Sequence, residues 1–78
     1  MHVEVITPEK QVFAGEAKVV SLPGSDGSLG ILDNHAPLIT TLREGTVKVT
    51  EAGGQVHELA VKGGTVEVLN NKVTILAE

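Results

Sequence analysis

The stretch "TVEVLNNKVTIL", residues 65–76, decides the fold class. Alternating apolar residues lie on both sides of Asn70 and Asn71, and asparagine tolerates the positive φ angles that a type I′ turn requires. A two-residue turn fixes the register of the hairpin. The facing pairs are then Val66–Ile75 and Val68–Val73 on one face, and Glu67–Thr74 on the other. Because the apolar residues all fall on the same face, the stretch predicts a β-hairpin with one buried side.

A second hairpin is predicted immediately upstream, in "TVKVTEAGGQVHELAV", residues 46–61. Its connection is a three-residue loop, Ala52 to Gly54, in which a glycine takes positive φ. The loop places Val47 opposite Leu59 and Val49 opposite His57, and it leaves Lys48 beside Glu58 on the solvent side.

The remaining sequence also favours strands. "HVEVIT" alternates, "TPEK" is a turn with Pro8, and "QVFAGEAKVVSL" reads as one or two strands with a bulge at Gly15. Pro37 breaks any helix in "DNHAPLITTLREG", where Thr40 and Thr41 favour a strand. No segment keeps a helical period. The pattern predicts a single all-β domain over residues 1–78, a small β-sandwich or flattened barrel.

Composition disfavours several classes of function. The chain has 78 residues, a formal charge of −4, no cysteine and one aromatic residue, Phe13. Nucleic-acid binding needs clustered basic residues or stacking aromatic rings, so no nucleic-acid partner is expected. The apolar runs are far shorter than the roughly 20 residues of a membrane-spanning helix, so no direct membrane insertion is expected.

Catalytic, metal and phosphate sites are each weakly supported in the loop-rich segment Ser21–Gly45. His35 lies near Asp26 and Asp33 in sequence, but no nucleophile motif accompanies them. The three histidines lack metal-ligand spacing, and the glycines of "GSDGSLG" match neither the dinucleotide-binding nor the P-loop pattern. We therefore expect no catalytic residue, no metal and no cofactor.

A biotinyl or lipoyl carrier domain is the alternative that fits the size and acidity of the chain. Such a domain presents its modified lysine at a hairpin tip. Lys62 in "AVKGG" instead follows a strand, and the predicted hairpin tips hold no lysine.

Three segments, in order and covering nearly the whole chain, resemble one family. They are "VITPEKQVFAGEAKVVSLPG" (5–24), "LPGSDGSLGILDNHAPLITTLREGTVKV" (22–49) and "LAVKGGTVEVLNNKVTILAE" (59–78). Together they are similar to the epsilon subunits of F1Fo ATP synthases. The resemblance implies a sandwich of about ten short strands in two sheets. The helical hairpin that ends these subunits would follow Glu78.

The resemblance also implies a function. In this family the sandwich is a non-catalytic part of the central rotor, which couples proton flow to ATP synthesis. It contacts the gamma subunit and the polar loops of the membrane c-ring. The expected location is peripheral, on the cytoplasmic face of a bacterial inner membrane or the equivalent face of an organelle membrane.

Two sets of contact residues carry over by motif. The set implied to face the c-ring is Asp26, Gly27, Ser28 and Leu29. Family members often have an acidic residue at the position of Ser28, and Asp26 would supply that charge here. The set implied to face the gamma subunit is Thr7, His35, Ala36, Pro37, Leu38 and Thr40.

Overall fold

The computed structural model describes all residues from Met1 to Glu78 and contains nine strands and no helix. No helix long and apolar enough to cross a membrane is present. The strands are β1 His2–Ile6, β2 Gln11–Glu16, β3 Val19–Gly24, β4 Gly27–Leu32, β5 Leu38–Leu42, β6 Gly45–Thr50, β7 Val56–Val61, β8 Gly64–Leu69 and β9 Lys72–Ala77.

Hydrogen bonding links the strands in one curled path, β2-β1-β9-β8-β5-β3-β6-β7, with β4 paired to β3. The path turns at the end of β3, which meets β5 only through Gly24 and Leu42. The first half of β3, Val19 to Ser21, pairs with β6 instead. The sheet therefore folds into two layers, β2-β1-β9-β8-β5 and β7-β6-β3-β4. Both layers contribute to one cluster of sixteen buried apolar residues.

The strand count and sheet continuity differ in detail from the expectation of about ten strands in two sheets. Segment 33–37 forms no strand, because Asn34 adopts a φ of 62° and Pro37 lacks a backbone N–H. The bridge between Gly24 and Leu42 makes the two layers one continuous sheet. The all-β sandwich class is confirmed.

Both predicted hairpins have the expected register. In β8–β9, Val66 pairs with Ile75 and Val68 with Val73, and all four side chains are buried. Asn70 and Asn71 have φ angles of 52° and 59°, as a type I′ turn requires. In β6–β7, Val47 pairs with Leu59, Val49 with His57 and Lys48 with Glu58. Gly54 takes the positive φ of that loop, 96°.

The bulge predicted at Gly15 is misplaced. Gly15 pairs regularly with Val3, and the register shifts instead between the pairs Val5–Phe13 and Ile6–Gln11. Val12 is therefore the extra residue. The next residue, Phe13, contacts His57 on edge strand β7, and the centroids of the two rings are 4.8 Å apart. This contact bridges edge strands β2 and β7.

The carrier alternative fails on its own criterion. Lys62 lies between β7 and β8, and these strands do not pair with each other. The backbone N–H of Lys62 donates to the carbonyl of Glu78 at 2.9 Å. Lys62 is therefore not at the tip of a hairpin.

Candidate partner-binding surfaces

The first candidate surface is the tip of the β3–β4 hairpin, where Ser25 and Asp26 form the turn and Gly24 pairs with Gly27. A Cβ on Gly24 would lie 2.5 Å from the Gly27 carbonyl oxygen, so this position admits only glycine without a shift. Gly27 has a φ of 138°, a conformation that side chains rarely adopt. The two glycines let the turn close tightly and leave Asp26 exposed, with no cationic group within ion-pair distance.

Ser25 ties this tip to β5. Its backbone N–H donates to the Thr41 carbonyl at 3.0 Å, and its hydroxyl lies 2.7 Å from the Thr41 hydroxyl. The backbone N–H of Arg43 donates to the Pro23 carbonyl at 2.8 Å. These bonds hold the tip in a fixed position against the layer that contains β5.

The structure brings all four predicted ring-facing residues and part of the gamma-facing set to one place. An open groove of about 220 Å³ separates the hairpin from β5. Its lining residues are Gly24, Asp26, Gly27, Ser28, Leu29, Leu38 and Thr40. Leu29 and Leu38 are half-buried and pack against the core, so they support the fold as well as line the groove.

The rest of the gamma-facing set lies apart from this groove. His35, Ala36 and Pro37 are exposed in the loop that joins β4 to β5. Two contacts fix the start of this loop. The Asp33 carboxylate accepts a hydrogen bond from the Met1 amine at 2.5 Å, and the Asn71 side-chain carbonyl accepts one from the backbone N–H of Asn34 at 2.8 Å.

His35 makes one side-chain hydrogen bond, and its partner is a backbone group. Its Nδ1 lies 2.7 Å from the Ala36 carbonyl oxygen, which can only accept, so Nδ1 carries the proton in this contact. Neither Asp26 nor Asp33 bonds to the ring. No group of three histidine, cysteine or acidic side chains is placed to hold a metal ion. The arrangement presents a surface and assembles no reactive constellation around His35.

Thr7 lies at the other end of the sheet from His35. It follows Ile6, which pairs with Leu76, whereas the loop of His35 leads into Leu38 at the opposite end of β5. The Thr7 hydroxyl and backbone close their own turn through Lys10. The residues carried over as one gamma-facing set therefore occupy two separate ends of one layer.

Between those ends lies an apolar patch that sequence reasoning missed. Ile39 is 76% exposed and Leu76 is 50% exposed. They line a shallow depression of about 270 Å³ on the outer face of β5, β8 and β9, together with Thr65, Val66, Glu67 and Thr74. The only signal in the sequence is alternation: Ile39 falls between Leu38 and Thr40, which both face inward.

Comparison with known proteins places the chain in a family. The model of a family described as "ATP synthase, Delta/Epsilon chain, beta-sandwich domain" matches residues 1–78. The ATP synthase epsilon chain of Bordetella petrii is 49% identical over 78 residues, which cover 100% of this chain and 55% of that protein. The epsilon chain of Desulforamulus reducens is 47% identical over 77 residues, covering 99% and 58%. The chain thus spans about half the length of these relatives.

Solved structures have the same fold at low sequence identity. A chain of the mitochondrial ATP synthase of Euglena gracilis, solved with OSCP, F1 and c-ring, superposes with a TM-score of 0.89 at 19% identity and covers 96% of this chain and 48% of that one. A chain from the central stalk and c-ring of the Tetrahymena thermophila enzyme has a TM-score of 0.83 at 22% identity, covering 99% and 62%. The match of the family model over the full 78 residues, with relatives near half identical, shows that this chain belongs to the ATP synthase delta/epsilon family and has the β-sandwich of its epsilon chains.

Proposed function

We propose that this chain is a non-catalytic part of the central rotor of an F1Fo ATP synthase, where it links the gamma subunit to the c-ring and couples proton flow to ATP synthesis. The observation that carries the proposal is the full-length match to the family's sandwich domain. The proposed location is peripheral, at the cytoplasmic face of a bacterial inner membrane or the equivalent organelle face.

The proposed gamma-facing surface is the outer face of the β1-β9-β8-β5 layer. It runs from Thr7 at one end, across Ile39 and Leu76, to the loop of His35, Ala36 and Pro37 at the other. Leu38 and Thr40 lie at its border, where β5 turns into the groove. Large apolar side chains exposed on a rigid sheet lose little conformational entropy on docking, which favours a stable contact.

The proposed ring-facing surface is the hairpin tip with Asp26, Gly27, Ser28 and Leu29. Its only charge is the unpaired Asp26 carboxylate, which suits a basic loop on the partner. The bonds from Ser25 to Thr41 hold this tip rigidly against the layer that carries the gamma-facing surface. A stiff connection between two contact surfaces is what a part that transmits torque requires.

A pair of charge insertions tests the gamma-facing surface. Ile39→Asp should weaken binding of the gamma subunit by about tenfold or more, because it places an unpaired charge in a desolvated contact. Val56→Asp is the matched control: Val56 is 47% exposed on edge strand β7, outside the proposed surface. Both variants should stay folded because both side chains are exposed. Calorimetric titration with gamma measures the effect.

The possible results separate the surface from the function. Equal affinity of the two variants would place the gamma contact elsewhere on the sandwich. Failure of the unsubstituted chain to bind gamma at all would overturn the proposed function itself.

A further inference from the structure

Strand β4 has a free edge whose hydrogen-bonding groups are regularly spaced. The Pro23 carbonyl accepts a hydrogen bond from Arg43, so it points away from β4. This contact fixes which residues of β3 direct their backbone groups toward β4. Residues alternate along an antiparallel ladder, so Gly27, Leu29 and Ile31 bond to β3. The N–H and C=O groups of Ser28, Gly30 and Leu32 then point outward, about 7 Å apart. None of them bonds to backbone or side chain elsewhere in the chain.

This edge lacks the features by which other edges avoid pairing. Exposed edges are usually protected by charges, proline or a bulge. Edge strand β2 has a bulge at Val12 and a charge at Glu16, and edge strand β7 carries Glu58. Strand β4, "GSLGIL", has no charge, no proline and no irregular register, and its Leu32 is 58% exposed.

Gly30 is a second, independent observation. It sits within the strand, where glycine costs about 0.5–1 kcal/mol relative to alanine. The fold does not need a glycine there: its φ lies outside the left-handed region, and a Cβ would meet no atom within 4 Å. A glycine in a strand that local packing does not require is typical of a position where another backbone approaches closely.

We propose that the gamma subunit adds an extended segment to the free edge of β4, paired through the backbone of Ser28, Gly30 and Leu32. This inference rests on the proposed function and specifies how one partner binds. Gamma, and not the ring, is the partner because β4 continues beyond Leu32 into the loop of His35–Pro37, the proposed gamma contact. The ring-facing tip lies at the other end of β4. The two contacts meet at Ser28, whose backbone would pair with gamma while its exposed side chain stays with the tip.

The surroundings of β4 define the chemistry of the added segment. The residues of the gamma segment that lie opposite Leu29 and Ile31 face the inner side of the sheet. Half-buried Leu29 and Leu38 line the groove there, so these segment residues should be apolar. Its residue opposite Gly30 faces the outer side. There the floor is a shallow depression bordered by Ser21, Ser28 and Thr46, which leaves room for a large side chain. The segment therefore alternates, with apolar residues opposite Leu29 and Ile31 and its bulkiest residue over Gly30.

Amide hydrogen exchange tests the pairing directly. In isotope-labelled free chain, the amides of Ser28, Gly30 and Leu32 should exchange fast. Unlabelled gamma subunit should slow all three by about tenfold or more, because each acquires a backbone hydrogen bond. The outward amides of β7, Val56, Glu58 and Ala60, are the control and should not change. If the three β4 amides stay fast while gamma is bound, the proposal is wrong and the proposed function stands.

Proline substitutions give the matching affinity test. Gly30→Pro removes one outward N–H from β4 and should lower the affinity for gamma about tenfold. Ala60→Pro removes one outward N–H from β7 and should leave the affinity for gamma unchanged. Gly30→Ala keeps the N–H but adds a methyl group where the segment's bulkiest residue should lie, so it should retain the exchange protection and lower gamma affinity less than Gly30→Pro does. If Gly30→Pro fails to fold, the exchange result and the affinity of Gly30→Ala still decide whether gamma pairs with β4. Protection of the β4 amides in free chain at high concentration would show that a second copy occupies the edge, and would overturn the assignment to gamma.

Discussion

The β8–β9 and β3–β4 hairpins are built alike but are placed differently in the sheet. Each joins two six-residue strands through a two-residue turn and contains six facing pairs. Strands β8 and β9 also pair with β5 and β1, so no edge of that hairpin is free. Strand β4 pairs with β3 alone. The first hairpin is enclosed in the sheet, and the second has one side open to solvent.

The two hairpins have their positive φ angles at different positions relative to the turn. In β8–β9 the turn residues Asn70 and Asn71 themselves take positive φ. In β3–β4 the turn residues Ser25 and Asp26 have ordinary φ, and the glycines beside them permit the close approach. The second arrangement leaves the turn side chains free to make contacts. Ser25 binds Thr41, and Asp26 projects into solvent.

The same local architecture is enclosed in one place and leaves a tip and a strand edge exposed in the other. The inward residues of β8–β9 are almost fully buried, whereas Leu29 on β4 is only half-buried. Replacements of inward residues in the enclosed hairpin should therefore cost stability, whereas replacements at the tip and on the outward face of β4 should mainly change contacts, because Val20, Leu22 and Ile31 of the open hairpin are buried in the core as well.

The largest expected effect comes from truncating the enclosed core. Ile75 on β9 is fully buried, so Ile75→Ala should lower the free energy of unfolding by about 2–5 kcal/mol. Leu29→Ala on β4 should cost less than about half as much, since water already reaches that side chain. Urea denaturation measures both. Equal losses would mean that Leu29 is as much a part of the core as Ile75.

The next effect separates two glycines of the open hairpin. Gly24→Ala should destabilise by about 1–3 kcal/mol, because the added Cβ would lie 2.5 Å from the Gly27 carbonyl. Gly30→Ala should stabilise by about 0.4–1 kcal/mol, because the position is open and the unfolded chain loses freedom. The midpoint of thermal unfolding should shift in opposite directions for the two variants, and a loss of stability in Gly30→Ala would contradict the open space over Gly30.

A smaller effect tests the turn of the enclosed hairpin. Asn70→Ala should cost about 1–2 kcal/mol, because its φ of 52° lies in the left-handed region. Asn70→Gly, which relieves that strain, should stay within about 0.5 kcal/mol of the original chain. Denaturant midpoints distinguish the two. Equal stability of both variants would show that this residue leaves the left-handed conformation in solution.

The smallest effect on folding is expected at the tip of the open hairpin. Asp26→Asn should change stability by less than about 0.5 kcal/mol, because the exposed carboxylate has no ion-pair partner. It should weaken association with the c-ring about two- to fivefold at low salt and less at high salt. Sedimentation with reconstituted rings measures this. An effect that does not depend on salt would argue against a charge contact.

The structure confirms the β8–β9 and β6–β7 registers, because a short turn and a two-residue side-chain period leave one solution with the apolar residues together. The bulge expected at Gly15 is absent and lies at Val12 instead. A bulge depends on how β2 meets β1, and the strand itself does not signal which residue will be extra. Leu38 shows the same limit at the candidate site. It reads as an exposed docking residue by motif, but it packs against the core, and Ile39 beside it is the exposed side chain.

The sequence by itself determined the fold class, two hairpin registers and the family, since local alternation, turn chemistry and ordered motifs depend only on neighbours along the chain. Only the tertiary structure decided which strand edges stay free. It also decided that Thr7 and His35 lie at opposite ends of one layer, and that Ile39 and Leu76 share one patch. The physical reason is that strand order in a sheet is set by long-range hydrogen bonds and burial. The parallel pairing of β1 with β9 joins the two ends of the chain, and no local signal encodes it.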